Sequence, residues 1–304
     1  MRSAVTICLV PEAREGPFVF HEGLEAGCRA AAELGFDAVE LFPESAASLP
    51  TAQLRGLLAT HDLALAAVGT GAGWVKHGLH LCHADPAIRG RARDFIAAVV
   101  DVAGQFGAPA IIGSMQGRSD AAVPRSAALE HLAEALHELG GRAAAHGQVL
   151  LYEPLNRYET NLFNRQADAA EWLRSRGIRH VKLLCDLFHM NIEEADPAGA
   201  LVACGDLVGH VHWADSNRRA VGFGHAVLAP VVAALESIGY NGFFSAEVFP
   251  LPTPQDAARQ SLASVRRHLA RLAPRRCFTS CSTAPCSTPT FFGSWPARGI
   301  TRRC

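Results

Sequence analysis

Eight short apolar runs recur along the chain, each separated from the next by a longer amphipathic stretch, and this alternation restricts the fold more than any other feature. The runs lie at 3–10 (SAVTICLV), 37–42 (DAVELF), 63–69 (LALAAVG), 108–113 (APAIIG), 148–154 (QVLLYEP), 181–186 (VKLLCD), 208–213 (VGHVHW) and 243–248 (FFSAEV). Their length and apolar character predict buried strands. Helical patterns are predicted at 22–34, 51–61, 86–106, 124–146, 165–176, 197–204, 226–239 and 254–272. Pro50-Thr51 and Asp85-Pro86 read as helix starts, and Gly35, Gly107, Gly147 and Gly239 as helix stops. Strands joined by helical crossovers must run parallel, and about eight of them fit a (β/α)8 barrel in a single α/β domain. A doubly wound open sheet is the rival, but no G-x-G-x-x-G follows the first strand to mark a dinucleotide site.

The pattern stops near Pro274. Residues 274–304 are rich in Cys, Ser, Thr, Pro and Arg, contain no Asp or Glu, and show no periodicity, so the expected division is a barrel over 1–273 and a flexible tail over 274–304. Four of the nine cysteines (Cys277, Cys281, Cys286, Cys304) fall in that tail without a C-x-x-C pair. The other five are scattered through the barrel and read as buried free thiols. Lys+Arg 28 against Asp+Glu 29 gives no global field to recruit nucleic acid or an anionic membrane. There is no run of about 18 apolar residues for a membrane span, and SAVTICLV reads as a first strand rather than a signal peptide. A cytoplasmic location is expected, and a homo-oligomer is left open.

Polar residues placed at the ends of these strands carry the chemistry. Strand five ends at Glu153, strand six delivers Asp186 and then His189, strand seven His210 and His212 with Asp215 and Arg218 beyond, and strand eight Glu247. In a barrel all carboxyl ends open on one face, where active sites are built. Glu153, Asp186, His212 and Glu247 would therefore ring one pocket. Three carboxylates in a buried pocket repel each other and resist desolvation, and a divalent cation resolves the conflict. Oxygen-rich ligation with one nitrogen favours Mn2+ and is compatible with Mg2+ or Co2+. Cys185, one residue before Asp186, should face the opposite way. His210 by itself reads as a core histidine.

Several stretches carry a wider resemblance: VGTG at 68–71, FGAPAIIGSMQGR at 106–118, EPLNRYETN at 153–161, CDLFHMNIEE at 185–194, HWADSNRRAVGFGH at 212–225 and GYNGFFSAEVFPLP at 239–252. With these the chain resembles the xylose-isomerase-like TIM-barrel sugar isomerases and epimerases, nearest the branch of 5-keto-L-gluconate epimerase and D-tagatose 3-epimerase-like proteins. The resemblance covers roughly the first nine-tenths of the chain, and departs from the family at Ala226-Val227. It implies metal ligation by Glu153, Asp186, His212 and Glu247, in agreement with the strand-end reading. It also implies acid/base roles for Glu153 and Glu247, and sugar contacts from Glu159, His189 and Arg218.

The expected activity is a metal-dependent epimerisation of a ketose or keto-sugar acid. The proton on the carbon beside the ketone is removed and returned, and the metal lowers the cost of the enediolate. Arg118, after strand four, is a candidate partner for a substrate carboxylate, or else a surface arginine. The competing readings are an aldose–ketose isomerase on the same site, an endonuclease on the same barrel, and a non-catalytic sugar-binding protein. The partner expected is a small sugar or sugar acid, with neither nucleic acid nor membrane.

Overall fold

The computed structural model describes residues 1–272. All eight expected strands form: β1 (Arg2–Cys8), β2 (Ala38–Phe42), β3 (Ala64–Gly69), β4 (Ala110–Ile112), β5 (Leu150–Tyr152), β6 (Val181–Asp186), β7 (Val208–His212) and β8 (Phe243–Ala246). Each pairs in parallel with the next, and β8 closes on β1 through Arg2↔Phe243 to Val5↔Ala246. The barrel predicted from the alternation is therefore present, and the open sheet is excluded. The expectation of a flexible tail concerns 274–304, which lies outside the described residues.

The eight expected helices also form, as α1 (Leu24–Leu34), α2 (Thr51–His61), α4 (Pro86–Gly104), α5 (Arg125–Ala145), α6 (Gln166–Ser175), α8 (Pro197–Cys204), α9 (Ala229–Ser237) and α10 (Pro254–Leu272). Two short helices join them, α3 (Ala72–His77) after β3 and α7 (Leu187–Glu193) after β6. Local chemistry sets several boundaries. Asp85 caps α4 by accepting from the Ala87 N–H at 2.8 Å, with Pro86 in the first turn. Gly35 ends α1 at φ +90°, a backbone region that a side chain makes costly.

Strand alternation divides the core in two. Leu150, Tyr152, Leu183, Cys185, Val211 and Phe244 belong to the main cluster between sheet and helices. Ala67, Ile111, Leu151 and Leu184 form a separate cluster inside the barrel. Cys185 thus lies on the face opposite Asp186, as the alternation requires. The last helix is fastened to the barrel by Trp213, which is fully buried, 4.7 Å from the Phe244 ring, and donates from Nε1 to Ser264 Oγ at 2.7 Å. All five cysteines among the described residues are buried and free. No helix among those residues is long and apolar enough to cross a membrane.

Candidate metal and sugar site

The inward parity that puts Leu151 and Leu184 inside the barrel also carries Glu153, Asp186, His212 and Glu247 to its carboxyl-terminal mouth. Glu153 follows β5, with its N–H bonded to Ile112 O across the ladder at 3.0 Å. The strand end beneath it is held by Gln116, which is buried, donates to Gly113 O and Glu153 O at 3.0 and 2.9 Å, and accepts from Tyr152 OH at 2.7 Å. Gly113 makes room for the carboxylate: a Cβ there would lie 2.5 Å from Glu153 Oε2. Asp186 ends β6 and divides its oxygens. Oδ1 caps α7 by accepting from the Phe188 N–H at 2.8 Å, and Oδ2 faces the mouth.

Three carboxylates converge on one imidazole nitrogen. His212 Nδ1 is 3.4 Å from Glu247 Oε2, 3.5 Å from Asp186 Oδ2 and 3.6 Å from Glu153 Oε1. Donor atoms of Glu153, Asp186 and His212 all lie within 4.8 Å of one another, a grouping able to hold a metal ion. Both His212 Nδ1 and Glu153 Oε1 are buried without a hydrogen-bond partner. Buried orphans of this kind are costly, and a divalent cation satisfies them together, so the residues present fit one. Glu247 also accepts from Arg218 Nη2 at 2.6 Å.

The electrostatics follow from burial and crowding. Burial pushes Glu153 well above the ordinary carboxylate range; His212 opposes this, while Glu247 and Asp186 add to it. For Asp186, burial is outweighed by His189, His212 and Arg218, and the carboxyl sits below its usual range. Glu247 is likewise lowered, by His212 and Arg218 acting against burial. His212 is raised well above its usual value because Glu247 and Glu40 overcome the burial that disfavours its charge.

The remaining expected residues are placed as follows. His189, buried on α7, receives a bond at Nδ1 from Asn156 Nδ2 at 2.7 Å, so its hydrogen resides on Nε2, which has no partner and faces Asp186 Oδ2 at 3.6 Å. Arg218 adopts φ 56°, a left-handed conformation rare outside glycine. It reaches Glu247, Asp186 and Glu159 and lies 5.0 Å over the Phe188 ring. Glu159 is held by Asn156 Nδ2 at 3.0 Å. These groups line a cavity of about 320 Å³, at the small end of ligand pockets. Arg118 does not join them: it is exposed and absent from the cavity wall.

Three residues in this constellation were given no role from the sequence: Glu40, and Gln116 and Asn156, which lie within the stretches 106–118 and 153–161 quoted above. Glu40 left a signal of its own, a carboxylate in the middle of the apolar strand AVELF. It is buried and accepts from His210 Nε2 at 2.7 Å and His212 Nε2 at 3.0 Å. His210 is thus a satisfied core histidine, as its sequence context suggested.

Comparison with known proteins agrees with this architecture. A family model described as xylose isomerase-like TIM barrel matches residues 28–268. A 3-dehydro-D-guloside 4-epimerase from Escherichia coli is 37% identical over 136 residues, 44% of this chain and 52% of that protein, so the match spans about half the relative's length. A D-psicose 3-epimerase from Ruminiclostridium cellulolyticum is 30% identical over 227 residues, 72% of this chain and 75% of the relative. Among solved structures, the apo form of a 3-keto-D-glucoside 4-epimerase from E. coli superposes with a TM-score of 0.73 at 22% identity, covering 88% of this chain and all of the other.

Proposed function

Because the chain belongs to the xylose isomerase-like TIM barrel family, we propose that it is a divalent-metal-dependent epimerase of a neutral ketose, acting at the carbon next to the ketone. The observation that carries this reading is the convergence of Glu153, Asp186 and Glu247 on the unpartnered Nδ1 of His212. These four residues would hold the cation, with Mn2+ favoured by the mixed oxygen and nitrogen donors and Mg2+ or Co2+ compatible with them. When bound, it supplies Lewis-acid polarisation of the substrate carbonyl.

The chain's own groups do the rest. Glu153 and Glu247 leave β5 and β8, with the β6 and β7 ligands between them on the ring, so the two carboxylates approach the cavity from different sectors. Inversion at carbon requires one group to take the proton and another to return one from the opposite face, and we assign these two roles to this pair. His189, its hydrogen fixed on Nε2 by Asn156, donates to a substrate oxygen. Arg218, held by Glu247 and Asp186, fixes a neighbouring hydroxyl and stabilises the oxygen on which charge develops.

Charge in the cavity favours a neutral sugar over a sugar acid. Among the described residues Arg218 is the only lysine or arginine on its wall, and it is already paired, whereas Glu12, Glu40, Glu153, Glu159 and Glu247 all contribute to that wall. Among the described residues on that wall a substrate carboxylate would find no unpaired cation.

The test is a panel of neutral ketoses and keto-sugar acids incubated with Mn2+ in D2O. A ketose epimer carrying deuterium beside the ketone is expected. Conversion to an aldose would replace this reading with an aldose–ketose isomerase. Cleavage of abasic DNA would replace it with an endonuclease, and binding without proton exchange would leave only a sugar-binding protein.

A further inference from the structure

Beneath the ligand ring, Glu40 joins two histidines of one strand through both of its oxygens. Oε2 lies 2.7 Å from His210 Nε2, and Oε1 lies 3.0 Å from His212 Nε2. All three side chains are buried. A carboxylate can only accept, so each Nε2 must carry a hydrogen. For His212 this leaves the lone pair of the neutral ring on Nδ1, the atom toward which Glu153, Asp186 and Glu247 converge. The two imidazole rings stand at 84° to each other with centroids 5.6 Å apart. They do not stack, and their separate orientations are set by reaching the same carboxylate.

We propose that Glu40 is the positioning residue for His212: it fixes the tautomer and rotation that present Nδ1 to the cation, and His210 anchors the second oxygen so that Glu40 itself cannot swing. This rests on the metal-dependent reading above. Glu40, His210 and His212 also form a grouping compact enough to hold an ion, but its internal hydrogen bonds already satisfy the facing atoms, whereas the orphaned atoms lie on the other side of His212. A carboxylate behind a ligating histidine is a general device of metal sites, and its removal costs about 10–100-fold in affinity or activity.

Glu40→Gln keeps the volume and removes the second guaranteed acceptor and the charge. Mn2+ affinity is measured by calorimetry on the full-length protein, alongside circular dichroism of the metal-free variant and the visible spectrum of its Co2+ form. The expected result is a folded variant whose Mn2+ affinity falls about 10–100-fold and whose Co2+ spectrum changes. A folded variant with undiminished affinity and an unchanged spectrum overturns the proposal. Should the variant not fold, nitrogen NMR of histidine-labelled wild type loaded with Mg2+ decides instead. A protonated, slowly exchanging Nε2 on His212 is expected, and protonation of Nδ1 overturns the proposal. Wild type that takes up no Mn2+ would overturn the functional reading as well. Wild type that binds Mn2+, with a folded Glu40→Gln variant that binds it equally well, overturns the positioning role alone.

Discussion

Glu153 is buried where desolvation makes charge expensive, and the surroundings raise that cost through Glu247 and Asp186. A site that keeps such a group needs its charge for more than packing. If Glu153 and Glu247 transfer the proton, Glu153→Gln and Glu247→Gln, each assayed at saturating Mn2+, should lower kcat by about 10²–10⁴-fold. The loss belongs in kcat and not only in KM, as for an interaction realised in the transition state. Near-normal epimerisation by either variant would move the proton to another group, with His189 the next suspect. A gentler probe lies behind Glu153. Gly113→Ala would set a methyl group 2.5 Å from Glu153 Oε2. That displaces one ligand without deleting it, so Mn2+ affinity should fall while the circular dichroism spectrum is retained. Unaltered Mn2+ binding in this variant would show that the Glu153 carboxylate is free to move.

At the scale of elements, the loops that follow the strands carry the site, and each needs its own support. The loop after β7, which delivers Arg218, is tied by Asp215: its carboxylate accepts from the N–H groups of Ser216, Gly222 and Ala226 at 2.7, 2.7 and 2.9 Å. Burial alone would raise this carboxyl. The N–H groups of Ala226, Gly222 and Ser216 outweigh burial and hold it below its usual range. A carboxyl lowered by folding stabilises above its unfolded pKa, and that contribution is lost as pH falls through the folded value. Asp215→Asn should therefore cost about 1–3 kcal/mol near neutral pH, and the gap to wild type should close on acidification below the ordinary carboxylate range. A gap that stays constant with pH in denaturant melts would rule out the charge as its source. The Ala226-Val227 departure falls in this loop, and the Ala226 N–H takes part in its closure. Short elements are also where the sequence was least legible. The eight strands and eight longer helices repeat their patterns over enough residues to be read. Helices α3 and α7 span six and seven residues, too few turns for periodicity to register. Glu153, Asp186, His212 and Glu247 could be picked out as candidate ligands because each ends or directly follows a strand. Gln116 and Asn156 act through hydrogen bonds to groups distant in sequence, and Glu40 acts through a strand on the far side of the ring, so no local pattern announced their role.

Over the whole molecule, barrel closure brings residues 40, 153, 186, 212 and 247 to one mouth, and the metal site and the fold should therefore be linked in stability. The ligand carboxylates repel one another in the folded chain and separate on unfolding, so a cation that binds only the folded chain should stabilise it. At a concentration about a hundredfold above its Kd, Mn2+ should add roughly 2.7 kcal/mol. For a domain of this size each kcal/mol moves Tm by about 2–4 °C or somewhat less, so the rise should reach several degrees and be reversed by chelation. Asp186→Asn should remove most of that rise. The substitution takes away the charge facing His212 while an amide oxygen can still accept the Phe188 N–H, so loss of the α7 cap should not confuse the result. The same measurement tests the proposed boundary after residue 273. Every ligand and the helix α10 that closes on Trp213 lie before it, so a chain ending at Ala273 should show the same Mn2+-dependent rise as the full chain. A truncated protein that melts normally but no longer responds to Mn2+ would place part of the metal site beyond that boundary. A full-length protein with no Mn2+ response would remove the linkage itself.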